Sequence, residues 1–172
     1  MQVFIISALS ADGFIAKSDQ EPSTRWTSSE DTKFFQEKTK QAGVVVYGSK
    51  TFDTIPYKYK PLKERLNVIY TNSPDKYEDY NQNELITTSD EPKTLIEKLK
   101  TLGHESIAIC GGTSIYSLFI SSGLVTKLFL TIEPVLFGSG TTLFDSQIDK
   151  KLKLVKVHNL SDQSIVLEYD LK

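Results

Sequence analysis

Three short apolar runs in this chain end the same way. VVVY (44–47) runs into GSKT, VIY (68–70) into TNS, and IAIC (107–110) into GGTS. Each run is apolar at every position, so both faces of the strand need cover. Such strands lie inside a sheet with helices on both sides. The residues that follow are Gly, Ser, Thr and Asn, which turn the chain or cap a helix. The pattern predicts an α/β domain with a mainly parallel central sheet. In that arrangement the carboxyl ends of the strands gather at one edge, where ligands bind.

The rest of the chain fits the same plan. Val3–Leu9 reads as a buried strand, turned by Ser10-Ala11-Asp12-Gly13. Ser28 and Asp31 have capping-box spacing and open a helix to about Gln41, with Gly43 past its end. Leu66–Thr71 is a strand, 75–84 a polar loop and Glu84–Thr87 a short strand. Leu95, Ile96, Leu99 and Leu102 form one stripe of a helix over Pro92–Leu102. Ser106–Cys110 is a strand, and Ile115, Leu118 and Phe119 have helical spacing after Thr113. Lys127–Leu136 reads as one long strand. Leu154–Leu160 and Ile165–Leu171, joined by Ser161-Asp162-Gln163-Ser164, predict a hairpin that adds an antiparallel edge.

Composition excludes several classes. Of 172 residues, 39% are hydrophobic and 24% charged, an ordinary globular balance. The formal net charge of -2 argues against a nucleic-acid surface, which would carry a basic excess. No apolar run approaches the ~20 residues that span a membrane. The single cysteine, Cys110, excludes an internal disulfide and a multi-cysteine metal site, and suits a reducing, cytoplasmic setting. His104 and His158 lack ligand spacing to one another, so no metal is expected.

Several residues are candidates for chemistry, each with a plainer reading beside it. Gly111 and Gly112 between a strand and a helix form either a tight turn or a place where an anion meets backbone N–H groups. Gly48, Ser49, Lys50 and Thr51 supply backbone access, hydroxyls and a cation. Thr71, Asn72 and Ser73 supply neutral donors. Together they suit a ligand with several phosphates, such as a dinucleotide, although each is also an ordinary turn. The pattern is neither a Rossmann fingerprint nor a Walker motif. Asp31 shares a helix face with Phe34 and Phe35. A carboxyl on an apolar face is poised for proton transfer, but Asp31 also fits as the third residue of the capping box. Trp26 is either core or lid packing. Arg65 either clamps an anion or is solvated.

Beyond these local readings, SADGFIA, WTSSEDTKFF, YGSKTFDTI, PLKERLNVIYT, ICGGTSIY and LFLTIEPVLFGSGTTLF follow in order between Val3 and Phe144. With these stretches the chain resembles the dihydrofolate reductase superfamily, which includes the reductase domain of riboflavin-biosynthesis enzymes. The resemblance implies one three-layer α/β/α domain over 1–172 that binds NADPH. It places Gly48, Ser49, Lys50 and Thr51 at the cofactor phosphates, and Thr71 and Asn72 at the adenosine 2′-phosphate side. Gly111, Gly112, Thr113, Ile115 and Tyr116 fall at the pyrophosphate and nicotinamide side. Ala8 and Ile15 flank the nicotinamide. Asp31 becomes the acid that holds and helps protonate the substrate ring, with Thr131 its partner. Trp26 and Phe35 pack on the substrate, and Arg65 holds a folate glutamate tail. A cis Gly111–Gly112 bond is implied, bordering the largest pocket.

The sequence departs from dihydrofolate reductases in Ser18–Arg25, at Ala16 and in the longer loop Pro56–Lys60. Pro134–Gly140 looks like the P-x-L-x-G-x-G stretch of the riboflavin-type reductases, which do not generally carry an acid at the position of Asp31. The resemblance therefore implies hydride transfer to a small pteridine or aminopyrimidine-type compound. A 5-amino-6-(5-phosphoribosylamino)uracil reductase comes first and dihydrofolate reductase second. A nucleotide-binding module without turnover is the rival from another class. Riboflavin-type relatives commonly pair, so a homodimer is expected.

Overall fold

A computed structural model describes residues 1–18 and 21–172. Asp19 and Gln20, inside the divergent segment Ser18–Arg25, lie outside the described residues. The strands are β1 (Gln2–Ser10), β2 (Phe14–Ala16), β3 (Val44–Gly48), β4 (Leu66–Tyr70), β5 (Leu85–Thr88), β6 (Ser106–Ile109), β7 (Lys127–Glu133), β8 (Thr141–Thr142), β9 (Leu152–Asn159) and β10 (Ile165–Leu171). The helices are α1 (Ser29–Ala42), α2 (Ser49–Thr54), α3 (Pro92–Thr101) and α4 (Thr113–Ser121).

Eight strands form the main sheet in the order β5-β4-β3-β6-β1-β7-β10-β9. The first six are parallel. β10 and β9 are antiparallel. The alternation of side chains explains the all-apolar runs. Val44 and Val46 of β3, with Val3 and Ile5 of β1, face α3 and α4, where Leu95, Leu99, Ile115 and Phe119 cover them. Val45 and Tyr47, with Phe4 and Ile6, face the other way, towards Ala42 of α1 and Phe52 of α2. The result is three layers with a mainly parallel sheet and an antiparallel edge, as the sequence predicts.

Two strand boundaries differ from expectation by more than one residue. The strand from Lys127 stops at Glu133 rather than Leu136. Pro134 lacks the N–H needed to continue a ladder. The outer hairpin strand runs Leu152–Asn159, because Leu152 and Lys153 pair with Leu171 and Asp170 and a register shift between Glu168 and Tyr169 breaks the alternation. A second, two-stranded sheet of β2 and β8 is too short to show in a hydrophobic pattern.

Candidate active site

The carboxyl ends of β3 and β6 close on one another. Gly48 N donates to Gly111 O at 2.8 Å. A Cβ added to Gly48 would stand 3.2 Å from Ile115 Cγ1, and one added to Gly112 would stand 3.2 Å from Thr51 Oγ1. At both positions an added side chain would press its neighbour aside by a few tenths of an ångström. The Gly111–Gly112 peptide is cis. α4 starts at once, and the N–H groups of Thr113 and Ser114 head that helix without acceptors of its own. These are the donors that the sequence reading assigns to an anion, and Lys50 is exposed in the first turn of α2.

Other side chains from this segment are committed inside the protein. Tyr116 is buried and its hydroxyl donates to Ile6 O at 2.9 Å. Thr113 Oγ1 donates to Thr142 O at 2.9 Å, which ties α4 to β8. Ile115 is buried against the Gly48 position. These residues shape the cleft, and only the backbone of Thr113 is offered to a ligand.

The sequence reading expects the cis glycine pair to border the largest pocket, and the pair is not in the lining of the cavity at the neighbouring strand ends. That cavity, of about 310 Å³, lies at the ends of β4 and β5, lined by Ser49, Tyr70, Thr71, Asn72, Asp90 and Glu91 among others. Thr51 stands against Gly112. Ser49, Thr71 and Asn72, which the sequence reading assigns to neighbouring parts of a dinucleotide, line this cavity together.

On the other side of the glycine pair, α1 carries Asp31. Ser28 is the N-cap, and its Oγ accepts Asp31 N at 3.1 Å. The reciprocal half of the box comes from elsewhere. Glu133, at the end of β7, accepts Ser28 N at 2.9 Å and Ser28 Oγ at 2.7 Å through Oε1, and Ser164 Oγ at 2.7 Å through Oε2. Glu133 is 2% exposed. The Asp31 carboxyl is thereby free to meet Thr131 and Thr27 hydroxyls. Burial pushes its pKa up, the Thr131 hydrogen bond opposes this, and the nearby Glu133 charge adds to the rise. Thr131 is paired in register with Ala8 of β1, so Asp31 stands over the carboxyl end of the two central strands.

Phe35 is half-buried in the cluster beneath α1, and Ile15 in β2 packs on the opposite cluster. Trp26 stacks edge-on against Phe137, ring centres 5.1 Å apart. Its buried Nε1 has no hydrogen-bond partner among the described residues. Phe137 is held by a residue that sequence reasoning missed. Asp12 accepts Phe137 N at 3.1 Å and Gly138 N at 2.6 Å, clasping the 137–138 loop to the SADG turn. The pattern SADG…FGSG held both partners, but nothing in it shows that they meet.

Arg65 corrects the sequence expectation. It is 7% exposed, and its Nε donates to Lys63 O at 2.8 Å, its Nη2 to Gln36 Oε1 at 2.7 Å and its Nη1 to Thr39 Oγ1. The guanidinium is spent joining the loop before β4 to α1, so it has no free fork for a glutamate tail. Asn67 does similar work beneath it, donating to Leu62 O, Arg65 O and Glu84 O. Among the described residues there is no cluster of metal-binding side chains, and no helix is long and apolar enough to cross a membrane.

This arrangement, with its sheet order and glycine-paired junctions, defines a dihydrofolate reductase-like α/β protein. The chain matches the RibD C-terminal domain over residues 2–166 and belongs to that family. It is similar to an uncharacterized protein, YyaP, of Bacillus subtilis, 28% identical over 98% of this chain and 94% of that one. It is also similar to a dihydrofolate reductase of Candida albicans, 31% identical over 62% of this chain and 56% of the relative. A putative riboflavin biosynthesis protein from Shewanella sp. PV-4 shares the fold with a TM-score of 0.78 at 20% identity, over 100% of this chain and 99% of that one. A diaminohydroxyphosphoribosylaminopyrimidine deaminase/5-amino-6-(5-phosphoribosylamino)uracil reductase from Thermotoga maritima does so with a TM-score of 0.79 at 18% identity. There this chain is covered over 99% but spans 56% of the other.

Proposed function

We propose that this chain is a nicotinamide-dependent reductase of the riboflavin-biosynthesis type. Its substrate is a small nitrogen heterocycle, of the pteridine or aminopyrimidine class, or a ribosylamino derivative. Asp31 carries the reading. Its carboxyl is half-buried, raised in pKa and hydrogen-bonded to Thr131, and it stands beside a cleft that heads a helix with free N–H groups.

A bound nicotinamide would supply the hydride. The chain's residues do the rest. The Thr113 and Ser114 N–H groups and Lys50 would hold the pyrophosphate, and Gly48 and Gly112 would let it come close to the backbone. Ala8 and Ile15 would wall the ring. Asp31 bonds the amino edge of the heterocycle and favours its protonated form. Thr131 fixes the carboxyl. Trp26 Nε1 is a donor awaiting an acceptor on the substrate.

Dihydrofolate reductase is the second reading, supported by Asp31 itself. The internal commitment of Arg65 weighs against it, because a folate tail then lacks its clamp. The riboflavin-biosynthesis descriptions of the similar Shewanella and Thermotoga proteins favour the first reading. A panel of ribosylaminopyrimidines and pteridines tests both by loss of reduced-nicotinamide absorbance. Turnover of an aminopyrimidine and not of dihydrofolate supports the proposal. Turnover of dihydrofolate replaces it with the second reading. Tight dinucleotide binding without turnover of any member makes the chain a binding module.

A further inference from the structure

The hairpin at the end of the sheet does more than extend it. Ser164, the residue before β10, is 1% exposed. The turn holds both of its backbone groups. Its N–H donates to Ser161 Oγ at 3.2 Å, and its O accepts Leu160 N at 3.0 Å and Ser161 N at 3.2 Å. That frame aims its hydroxyl at Glu133 Oε2, 2.7 Å away. β10 then runs antiparallel to β7, with Val166 opposite Thr131. The hairpin turn therefore reaches the strand end that faces Asp31.

Glu133 is the group on which Ser164 acts. Every group bonded to its carboxyl is a donor, Ser28 N and Oγ at Oε1 and Ser164 Oγ at Oε2. The Ser28 N–H cannot reverse its role. Ser28 Oγ accepts Asp31 N at 3.1 Å and keeps its own hydrogen for Oε1. This set matches an ionised carboxylate, which only accepts. Among the described residues no Lys, Arg or His pairs with Glu133 or Asp31. The other charged groups on this face serve one another. Glu168 of β10 meets Lys127 of β7 at 2.6 Å and His158 of β9 at 2.7 Å, and Lys127 also meets Asp170 at 2.9 Å. From α1, Lys38 lies over the Phe129 ring at 4.8 Å. Tyr116, also within electrostatic reach of Asp31, donates its hydroxyl to Ile6 O. Asp31 and Glu133 thus interact with no cation paired to either, and a proton retained by such a pair belongs to both.

We infer that Ser164 is a positioning residue for the reaction: by holding Glu133 as the charged member of the pair, it leaves the shared proton on Asp31, the member that meets the substrate. The use of that proton rests on the proposed reductase reading. It passes from the Asp31 carboxyl to a ring nitrogen, and the carboxylate left behind takes another from water. Without the Ser164 donor, the charged form of Glu133 loses a hydrogen bond and the proton moves towards it. A hydrogen bond to a charged group is strong enough to shift that balance by about tenfold.

Carbon-13 NMR of the Asp31 carboxyl, assigned by its loss in Asp31→Asn, tests this in the intact protein without substrate. Ser164→Ala should lower the pH at which Asp31 titrates, because a protonated Glu133 no longer opposes the Asp31 charge. In a Glu133→Gln background, Ser164→Ala should leave that pH where Glu133→Gln alone puts it. Turnover of Ser164→Ala at neutral pH should fall by about tenfold and recover on acidification. Thermal melts check each fold. If Ser164→Ala does not fold, Ser164→Cys is read in its place, since a thiol is a weak donor of similar size. An Asp31 titration that does not move overturns the inference, as does one that moves equally in the Glu133→Gln background. Either result leaves the reductase reading standing. A titration that moves as expected, in a protein that reduces no member of the substrate panel, upholds the coupling and removes the reductase reading.

Discussion

Replacing Asp31 with Asn separates what this residue does for the fold from what it does for the reaction. Asn keeps the backbone N–H that Ser28 Oγ accepts at 3.1 Å, so the helix start survives. Its amide still reaches the Thr131 and Thr27 hydroxyls. What disappears is a carboxyl whose pKa is raised by burial and by the Glu133 charge. A raised folded-state pKa means that protonated Asp31 favours the fold and ionised Asp31 works against it. The favourable contribution is complete below the ordinary carboxylate range and is lost as pH rises through the folded value. At neutral pH the variant sheds that cost. It also gives up an acidic side chain in the first turn of α1, worth about 0.3–1 kcal/mol. The melting temperature at neutral pH should therefore rise, because a raised folded-state pKa makes the ionised carboxyl a cost to the fold there. Turnover should fall by about 10²–10⁴-fold, the share that a positioned acid or base supplies. The assays are thermal melts at neutral and acidic pH and a pH–rate profile. The stability gain should shrink on acidification. A variant that melts lower at neutral pH would refute the burial argument. Unchanged turnover would reduce Asp31 to a helix residue.

Other perturbations reach the parts around it. Glu133→Gln keeps an acceptor for Ser28 but removes the charge facing Asp31, so the Asp31 pKa should fall and the acid-side limb of kcat/KM should move to lower pH. It should cost about 1–3 kcal/mol in urea unfolding, and an unmoved limb would mean that the two carboxyls are not coupled. Arg65→Met should also cost about 1–3 kcal/mol while leaving substrate KM alone, because its donors serve Lys63, Gln36 and Thr39. A large rise in KM at unchanged stability would restore a substrate role. At the sheet edge, Leu152, Leu154, Val155 and Val157 of β9 are 40–51% exposed, on a strand with one side unpaired. The homodimer expected from the resemblance should use this edge, and Leu154→Glu should shift sedimentation towards a 19.4 kDa species. A clean 19.4 kDa species before the substitution would dismiss it.

The order of elements was legible in the sequence because strands covered on both faces leave unbroken apolar runs, as in VVVY and IAIC. The junctions were legible because glycine pairs are confined to places where backbone must come close. Contacts between distant segments were not. Arg65 precedes a strand in a polar, proline-bearing loop, which resembles an exposed clamp, yet Gln36 and Thr39 turn it inwards. Asp90 and Glu91 directly precede the helix predicted from Pro92, and only the fold sets them beside Ser49 and Thr71.

The clearest case is the capping box at Ser28. Spacing alone makes Asp31 the carboxylate that completes it, which would tie up the side chain and leave no acid for chemistry. The structure divides the task between two acids 102 residues apart in sequence, 133 − 31. Glu133 takes the Ser28 N–H and hydroxyl, and a second hydroxyl, that of Ser164, fills its other oxygen. Asp31 is left with Thr131 and a partly apolar setting that raises its pKa. A helix can thus begin correctly and still present its first-turn acid to a ligand, provided that a neighbouring strand ends in the right residue. Pro134 makes β7 end there. The chain leaves the ladder directly after Glu133, so the strand end that supplies the capping carboxylate is the one that carries Thr131 two residues earlier.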